Sequence, residues 1–510
     1  LIQAFCLSAI AWLFTLSVAA QQTASELSQP LAYGQTITRE IRRDEKQSYT
    51  VSLAANTYAR IGIEQKGLQV RADVFDAANA LLLHVNRPTD YLETKYFSLV
   101  AGQAATFRIE IKGSFGTTPI GNSYAIKIIE MRPAIEQDNL RLEAERLLMN
   151  IPFEPQTLKS KENYFSDLER AIALFHQTGD RWYESLAMRS YGQMYVLYNE
   201  RARGIEVFKR ALALAREIKD RGGEAAALYR IGIAYRFISE HQEALDNLQQ
   251  SLAIARSLKD PYGIAATLNA LGQVYFEMGA PAQALSYHQQ AATVYGAESY
   301  RMDRNIGDAY GATGDYQQAL TFYEKALSSS VLAPTASERD EIFERLGNVY
   351  AKLGDSQKAL SFYDKALRLQ RENGNAYRAA ITLSAMGETY YAMRDTEQAL
   401  SYFNQALPMR IEVEDAAGEA LTRYWLARIE SDRGRLAQAL AEIERAVDLS
   451  EGVRAKIIGD ELRASYLASV SQYYEFYIDL LYRLHKAEPS AGYDERSFLA
   501  SERARARSLL

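Results

Sequence analysis

Cysteine is nearly absent from this chain. Its one copy, Cys6, lies inside an N-terminal apolar run, which leaves the rest of the 510 residues without a disulfide or a thiol nucleophile. Histidine is scarce as well. His84, His176, His241, His288 and His485 are scattered one at a time, which argues against a metal site or a catalytic dyad. Proline numbers only 11 against 34 tyrosines, a balance that favours ordered helices with aromatic packing over disordered linkers. An excess of basic charge is missing too. The formal net charge is -6, whereas a nucleic-acid binder usually shows a strongly basic face. No G-x-S-x-G, phosphate loop or H-E-x-x-H occurs, so this stretch is expected to hold no catalytic residue, cofactor or metal. The many Asp and Glu residues read as solvated helix faces.

The apolar run from Phe5 to Ala20 ends in Val18-Ala19-Ala20, small residues of the kind that precede signal-peptidase cleavage. Residues 1–20 are therefore expected to be a signal peptide and the protein to be exported, periplasmic or extracellular. The alternatives are a retained membrane anchor through residues 5–20 and a buried core helix. A membrane is involved only if that segment is retained. Neither an initiator Met nor a basic stretch precedes the run. At the other end "SERARARSLL" carries a helical pattern with no stop signal, so a further C-terminal domain is expected to be missing.

From residue 27 to 132 the hydrophobic period is two. Tyr49, Val51 and Leu53 alternate with polar residues, as do Phe107, Ile109 and Ile111, and Tyr124, Ile126 and Ile128. Turn-rich stretches such as "AANT", "VAGQ" and "GNS" separate these runs. The pattern predicts a small antiparallel β-sandwich. The segments "YGQTI", "SYTVSLAANTYARIGIEQ", "ADVFDAANALL" and "NSYAIKI" resemble the β-sandwich modules beside bacterial secreted peptidases, the pre-peptidase C-terminal type. No carboxylate cluster with the spacing of a calcium loop appears, and His84 reads as a lone surface residue.

After Pro133 the period becomes helical, and residues 138–450 repeat themselves. The copies are "YGQMY" at 191, "IGIAY" at 231, "LGQVY" at 271, "IGDAY" at 306, "LGNVY" at 346, "MGETY" at 386 and a weaker "LARIE" at 426. All but one lie 40 apart, the exception being the 35 residues from 271 to 306. Small residues recur in the second half of each unit, at Gly204, Ala244, Ala284, Ala319, Ala359, Ala399 and Ala439. Between them and the next small residue sit Phe208, Leu248, His288, Tyr323, Tyr363, Phe403 and Ile443. Small residues let paired helices approach, large ones fill the gap between pairs, and no unit buries its apolar face alone, so the units stack. Gly279, Gly314, Gly354 and Gly434 fall between the two helices, where a left-handed residue can end the first. The expected fold class is multidomain: the small β-sandwich, then an all-α solenoid of helix pairs about 40 residues long.

This Gly-Tyr-Ala-aromatic-Ala pattern resembles the tetratricopeptide repeat, whose usual unit is about 34 residues. The longer unit is similar to the long-helix subclass found in kinesin light chain. The unit at 426, with Ala427 and Glu430 in place of Gly and Tyr, reads as a junction. In a stacked array the first helices line a concave face. The candidate groove residues are Arg189, Gln193, Tyr229, Asn269, Gln273, Arg304, Asp308, Asn348, Glu388 and Tyr424, with Arg428 paired to Tyr424. The expected partner is a protein or peptide, since Asn and Gln both donate to and accept from an extended backbone. "TLNALGQVY" resembles the subclass's LN-x-LG signature, which implies that Asn269 clamps a ligand main chain.

Residues 454–510 form a helical junction. "ELRASYLASVSQYYEFYIDLL" followed by "SERARARSLL" resembles the segment that leads from tetratricopeptide arrays into CHAT domains, caspase-like modules that include cysteine peptidases. The resemblance implies a non-catalytic, partner-recruiting front of a CHAT protein, with the catalytic His and Cys outside these residues. A pure adaptor with an inactive downstream module is one alternative. An envelope or glycan binder acting through the β-sandwich is another.

Overall fold

The computed structural model describes residues 28–42, 44–66, 70–85, 94–113, 123–149, 161–296, 299–329, 335–456 and 460–508. The expected signal segment and Leu509–Leu510 lie outside them. Contacts divide the chain into two compact units. The first holds the residues to Thr313 with 328–333, and the second holds 314–327 with the residues from 334 on.

Unit one opens with nine described strands in two sheets. The first sheet has the order β1 (Gln29–Pro30), β3 (Lys46–Leu53), β8 (Ala105–Gly113), β5 (Val70–Phe75) and β6 (Leu81–Val85). The second runs β2 (Thr36–Glu40), β9 (Ser123–Pro133), β4 (Thr57–Lys66) and β7 (Lys95–Ala101). Pairing is antiparallel throughout except at the short edge strand β1, which runs parallel to β3. The alternating residues face inward as expected: Tyr49, Val51, Ile61, Ile63, Ile109, Ile111, Tyr124 and Ile126 are buried in one cluster shared by both sheets. Inside it the hydroxyls of Tyr49 and Tyr124 meet at 2.6 Å, so each phenol burial is matched by a hydrogen bond. His84 is not a lone surface residue. It pairs with Asp73 across β5 and β6 and is half-exposed.

The sheets do not stand apart from the helices of this unit. Helix α1 (Glu136–Met149) packs on β7 and β6, and its Ala144 and Leu148 join the sheet core. Glu145, fully buried, accepts from the backbone N–H and the hydroxyl of Ser98, both at 2.8 Å. Arg60 of β4 and Arg141 of α1 reach Asp180 at 3.1 and 3.3 Å.

The helix pairs of unit one follow. They are α2 (Lys161–Gln177), α3 (Arg181–Leu197) with α4 (Arg201–Glu217), α5 (Arg221–Arg236) with α6 (His241–Ser257), α7 (Pro261–Glu277) with α8 (Pro281–Tyr295), and α9 (Tyr300–Thr313). Most are 17 residues long, which with two short turns makes the 40-residue spacing. Aspartates recur as helix caps. Asp180, Asp220 and Asp260 each accept a backbone N–H from the first turn of α3, α5 and α7, which satisfies a donor the helix cannot. The left-handed turn after the first helix is made by Gly279 (φ 74) and also by Asn199 (φ 65) and Ser239 (φ 61).

Unit two repeats the scheme with α10 (Tyr316–Ser328), α11 (Ala336–Lys352), α12 (Ser356–Glu372), α13 (Ala376–Ala392), α14 (Thr396–Glu412), α15 (Ala416–Asp432) and α16 (Leu436–Lys456). Then come the long α17 (Asp460–Ala487) and α18 (Tyr493–Ser508). The junction at 426 is visible in the packing. Glu430 stands where earlier units carry a tyrosine, and it pairs with Arg433 and Arg435. Tyr424 stacks on Tyr473 of α17 at 4.9 Å, so α17 takes the place a further repeat would have. On α18, Ala500 is buried, while Phe498 and Leu499 are 64% and 49% exposed.

Candidate peptide-binding groove

Within each unit the first helices approach one another: α3 touches α5, α5 touches α7, α11 touches α13 and α13 touches α15. The second helices lie farther apart, so the first helices form the inner layer. Within each pair, a glycine of the first helix lies beneath a large side chain of the second and lets the two helices approach. A Cβ on Gly232 would stand 2.6 Å from Leu248, one on Gly272 2.6 Å from His288, and one on Gly387 2.8 Å from Phe403.

Asn269 on α7 is the centre of a buried polar chain. Its Oδ1 accepts from His288 Nδ1 at 2.9 Å and from Asn305 Nδ2 at 3.0 Å. Arg304 Nη2 in turn donates to Asn305 Oδ1 at 3.1 Å. His288 is 1% exposed, and burial pulls its pKa down to about 4, so at neutral pH the ring is uncharged. With Oδ1 as acceptor, the proton must sit on Nδ1. This fixes the Asn269 amide. Its oxygen is spent inside the protein, and only its NH2 group remains to meet a ligand. Asn269 therefore supports the packing of α7 against α8 and α9.

The other expected groove residues separate. Gln193 accepts from Arg230 Nη1 at 2.9 Å, Tyr229 packs half-buried against the α7 cluster, and Gln273 is half-buried. Asp308 lies close enough to His288 to act on its charge. In unit two Asn348 is exposed and accepts from Tyr363 Oη at 2.7 Å, while burial raises the pKa of Glu388. Two expectations are corrected. Arg189 is 5% exposed and Tyr424 2%, so neither side chain presents a surface to a ligand. Tyr424 is turned inward by its stacking on Tyr473, an aromatic 49 positions away in the sequence (473−424) that repeat spacing could not reveal.

Sequence reading also passed over Arg378. From the first turn of α13 it reaches back to α11, with Nη2 2.6 Å from Glu341 and Nη1 3.2 Å from Glu344. Asp340 lies behind them, fully buried, 3.9 Å from Arg378, with its pKa raised to about 6 by burial. The signal lay one whole repeat away and carried no motif.

With this geometry in hand, the comparisons are specific about the repeat. Tetratricopeptide-repeat models match residues 200–257, 223–297 and 338–412, and again 269–337 and 384–453. The helix pairs within residues 200–453 match the tetratricopeptide repeat. No curated protein matches the chain. Among solved structures, the apo quorum sensor NprR from B. thuringiensis is 18% identical, covering 61% of this chain and 87% of its own at a TM-score of 0.47. A Rap protein complexed with competence and sporulation factor is 14% identical, with 73% and 99% covered at 0.43. A signal-transduction ATPase with a tetratricopeptide repeat sensor from Pyrococcus horikoshii is 14% identical, with 69% and 53% covered at 0.48. Among the described residues no helix is long and apolar enough to cross a membrane.

Proposed function

We propose that the repeat array is a protein- or peptide-binding scaffold whose ligands lie along the first helices. The observation that carries this is the half-buried Asn269 amide, whose oxygen is held by His288 and Asn305, which leaves its NH2 group as the donor of a fixed amide. A donor with a fixed direction suits an extended main chain, because little side-chain freedom is lost when the ligand arrives. Gln273, one turn along the same helix, supplies a second amide that donates and accepts.

The finer reading is that this scaffold is exported and recruits partners for a CHAT module. Its support is the apolar run ending at Ala20 and the helical segment 454–510 that resembles the approach to such modules.

The test is binding of randomised decapeptide pools to the full chain and to Gln273→Ala. A lost hydrogen bond of about 0.5–1.5 kcal/mol predicts a roughly two- to tenfold weaker affinity at an unchanged melting temperature. Wild-type protein that retains no peptide from any pool would overturn the proposal.

A further inference from the structure

The second helices α6 and α8 both pack on α7, and a cavity of about 440 Å³ lies between them in the outer layer of unit one. Helix α6 lines it with Gln249, Leu252, Ala253 and Arg256, and α8 with Gln283, Ser286, Tyr287 and Gln290. Both sets have the spacing i, i+3, i+4, i+7, which is the stripe one helix shows to another. Each stripe runs for two turns, about 10 Å. Leu252 and Leu271 of α7, both buried, make the floor. Tyr287 is fixed as a wall by stacking on Tyr275 of α7 at 5.2 Å. Among the described residues no fourth element lines the cavity, so it is a groove without a roof.

This groove differs from the corresponding ones in charge. Its one charged side chain is Arg256, which is exposed and, among the described residues, forms no ion pair. Between α4 and α6 the positions of Gln283 and Ser286 are taken by Glu243 and Asp246. On α12 the positions of Gln249, Ala253 and Arg256 are taken by Asp364, Arg368 and Arg371, and Arg368 donates to Asp364 at 2.5 Å. The α6–α8 groove instead has small side chains at its centre, Ala253 and Ser286, exposed amides at its rim and no carboxylate. A small-molecule site buries most of its ligand, and a roofless groove would leave one side of such a ligand in water. A helix, about 10 Å across, is the better match. Its apolar stripe covers the leucine floor, and the rim amides donate to and accept from its polar flanks.

We propose that this groove docks an amphipathic helix of a partner protein. Partner residues at i, i+3, i+4 and i+7 lie over Leu252, Leu271 and Tyr287. A carboxylate at one end of the partner's stripe lies over Arg256 and sets the direction in which the helix runs. The site belongs to the layer opposite Asn269 and Gln273 and does not depend on the peptide-binding reading above.

The experiment uses the full chain and labelled, helix-forming peptides of about 18 residues. Three pools are compared: a Leu stripe at i, i+3, i+4, i+7 ending in Glu, the same stripe ending in Lys, and a Ser stripe ending in Glu. The remaining positions are varied. Wild type is expected to retain the Leu–Glu pool roughly two- to fivefold more tightly than the Leu–Lys pool, the range for an exposed charge pair. The Ser pool should bind about tenfold more weakly or not at all, since it offers the floor no apolar surface. Arg256→Glu should reverse the charge preference. Ala253→Arg puts at the groove's centre the side chain that α12 already carries at Arg368, and should weaken both Leu pools about tenfold. Gln273→Ala should change neither. Arg256 is exposed, so Arg256→Glu carries the test if Ala253→Arg melts early. The proposal is overturned if wild type retains neither Leu pool, or if retention is unchanged by both groove variants. In that second case, loss of retention in Gln273→Ala moves the peptide to the inner layer. Dimerisation of the chain alone, abolished by Ala253→Arg, would make the occupant a second copy and overturn the proposal as well.

Discussion

His288 shows how one residue can break a repeat's rule and still serve it. The equivalent positions of other units hold Phe208, Leu248, Tyr363 and Phe403, all buried. A histidine there must stay neutral. Its pKa falls from 6.5 to about 4 through burial, so between those values the unfolded chain binds a proton the folded chain refuses. Stability contributed by the neutral ring is complete above about pH 6.5 and is lost as pH falls toward 4. His288→Phe should remove that acid-sensitive part. Urea melts of both proteins at pH 7 and pH 4.5 check it. The variant should lose less stability on acidification, and an identical loss in both would show that His288 does not titrate against folding. The histidine's burial was legible from repeat position alone. Its bond to Asn269, and through it to Asn305, was not, because no spacing rule pairs residues of three different helices.

At the scale of the helix pair, the repeat is a matter of one missing atom. Gly347 lies against the ring of Tyr363, and a Cβ there would stand 2.4 Å from it. Gly347→Ala should therefore force the α11–α12 pair apart and cost about 1–3 kcal/mol by overpacking. The check is chemical denaturation beside Gly452→Ala, where a Cβ meets nothing within 4 Å. Equal melts would mean the pair yields without strain. A second contact is as regular. Tyr275 stacks on Tyr287, Tyr350 on Phe362 and Tyr390 on Tyr402, with interplanar angles of 8°, 5° and 9°. Helix existence, pairing and spacing were all legible here, since each rests on residues within one 40-residue unit. The shortened helices α8, α9 and α10, of 15, 14 and 13 residues, coincide with the one 35-residue spacing.

At the scale of the whole chain, the division into two units falls inside the repeats rather than between sheet and helices. Glu145 is one reason the sheets and the first helices belong together. It is surrounded by Ser98 on β7, Tyr58 and Arg60 on β4, Arg141 on its own helix, and Asp180 and Tyr183 at the start of α3. Burial raises its pKa from 4.5 to about 7. The folded chain then binds more protons than the unfolded chain between those values, so stability falls as pH rises through that window, by up to about 3 kcal/mol. Glu145→Gln keeps an acceptor for Ser98 and should abolish the fall. Amide exchange across β7 and α1 at pH 5 and pH 8 reads it out. Protection in the wild type should drop at pH 8 and stay level in the variant, and a level wild type would refute the assignment.

The sequence by itself determined the period-two sheets, the helix pairs, the small residues that let helices meet and the turns that end them. These are local, and each depends on residues within a few turns of one another. Only the tertiary structure decided which side chains face outward. Tyr424 and Arg189 followed the groove spacing yet are buried. Arg428 gained four aromatic walls from α13, α15 and α17. Exposure, charge pairing and pKa depend on neighbours brought in from distant positions, and a repeat pattern records the spacing of its own residues but not the residues that come to lie against them.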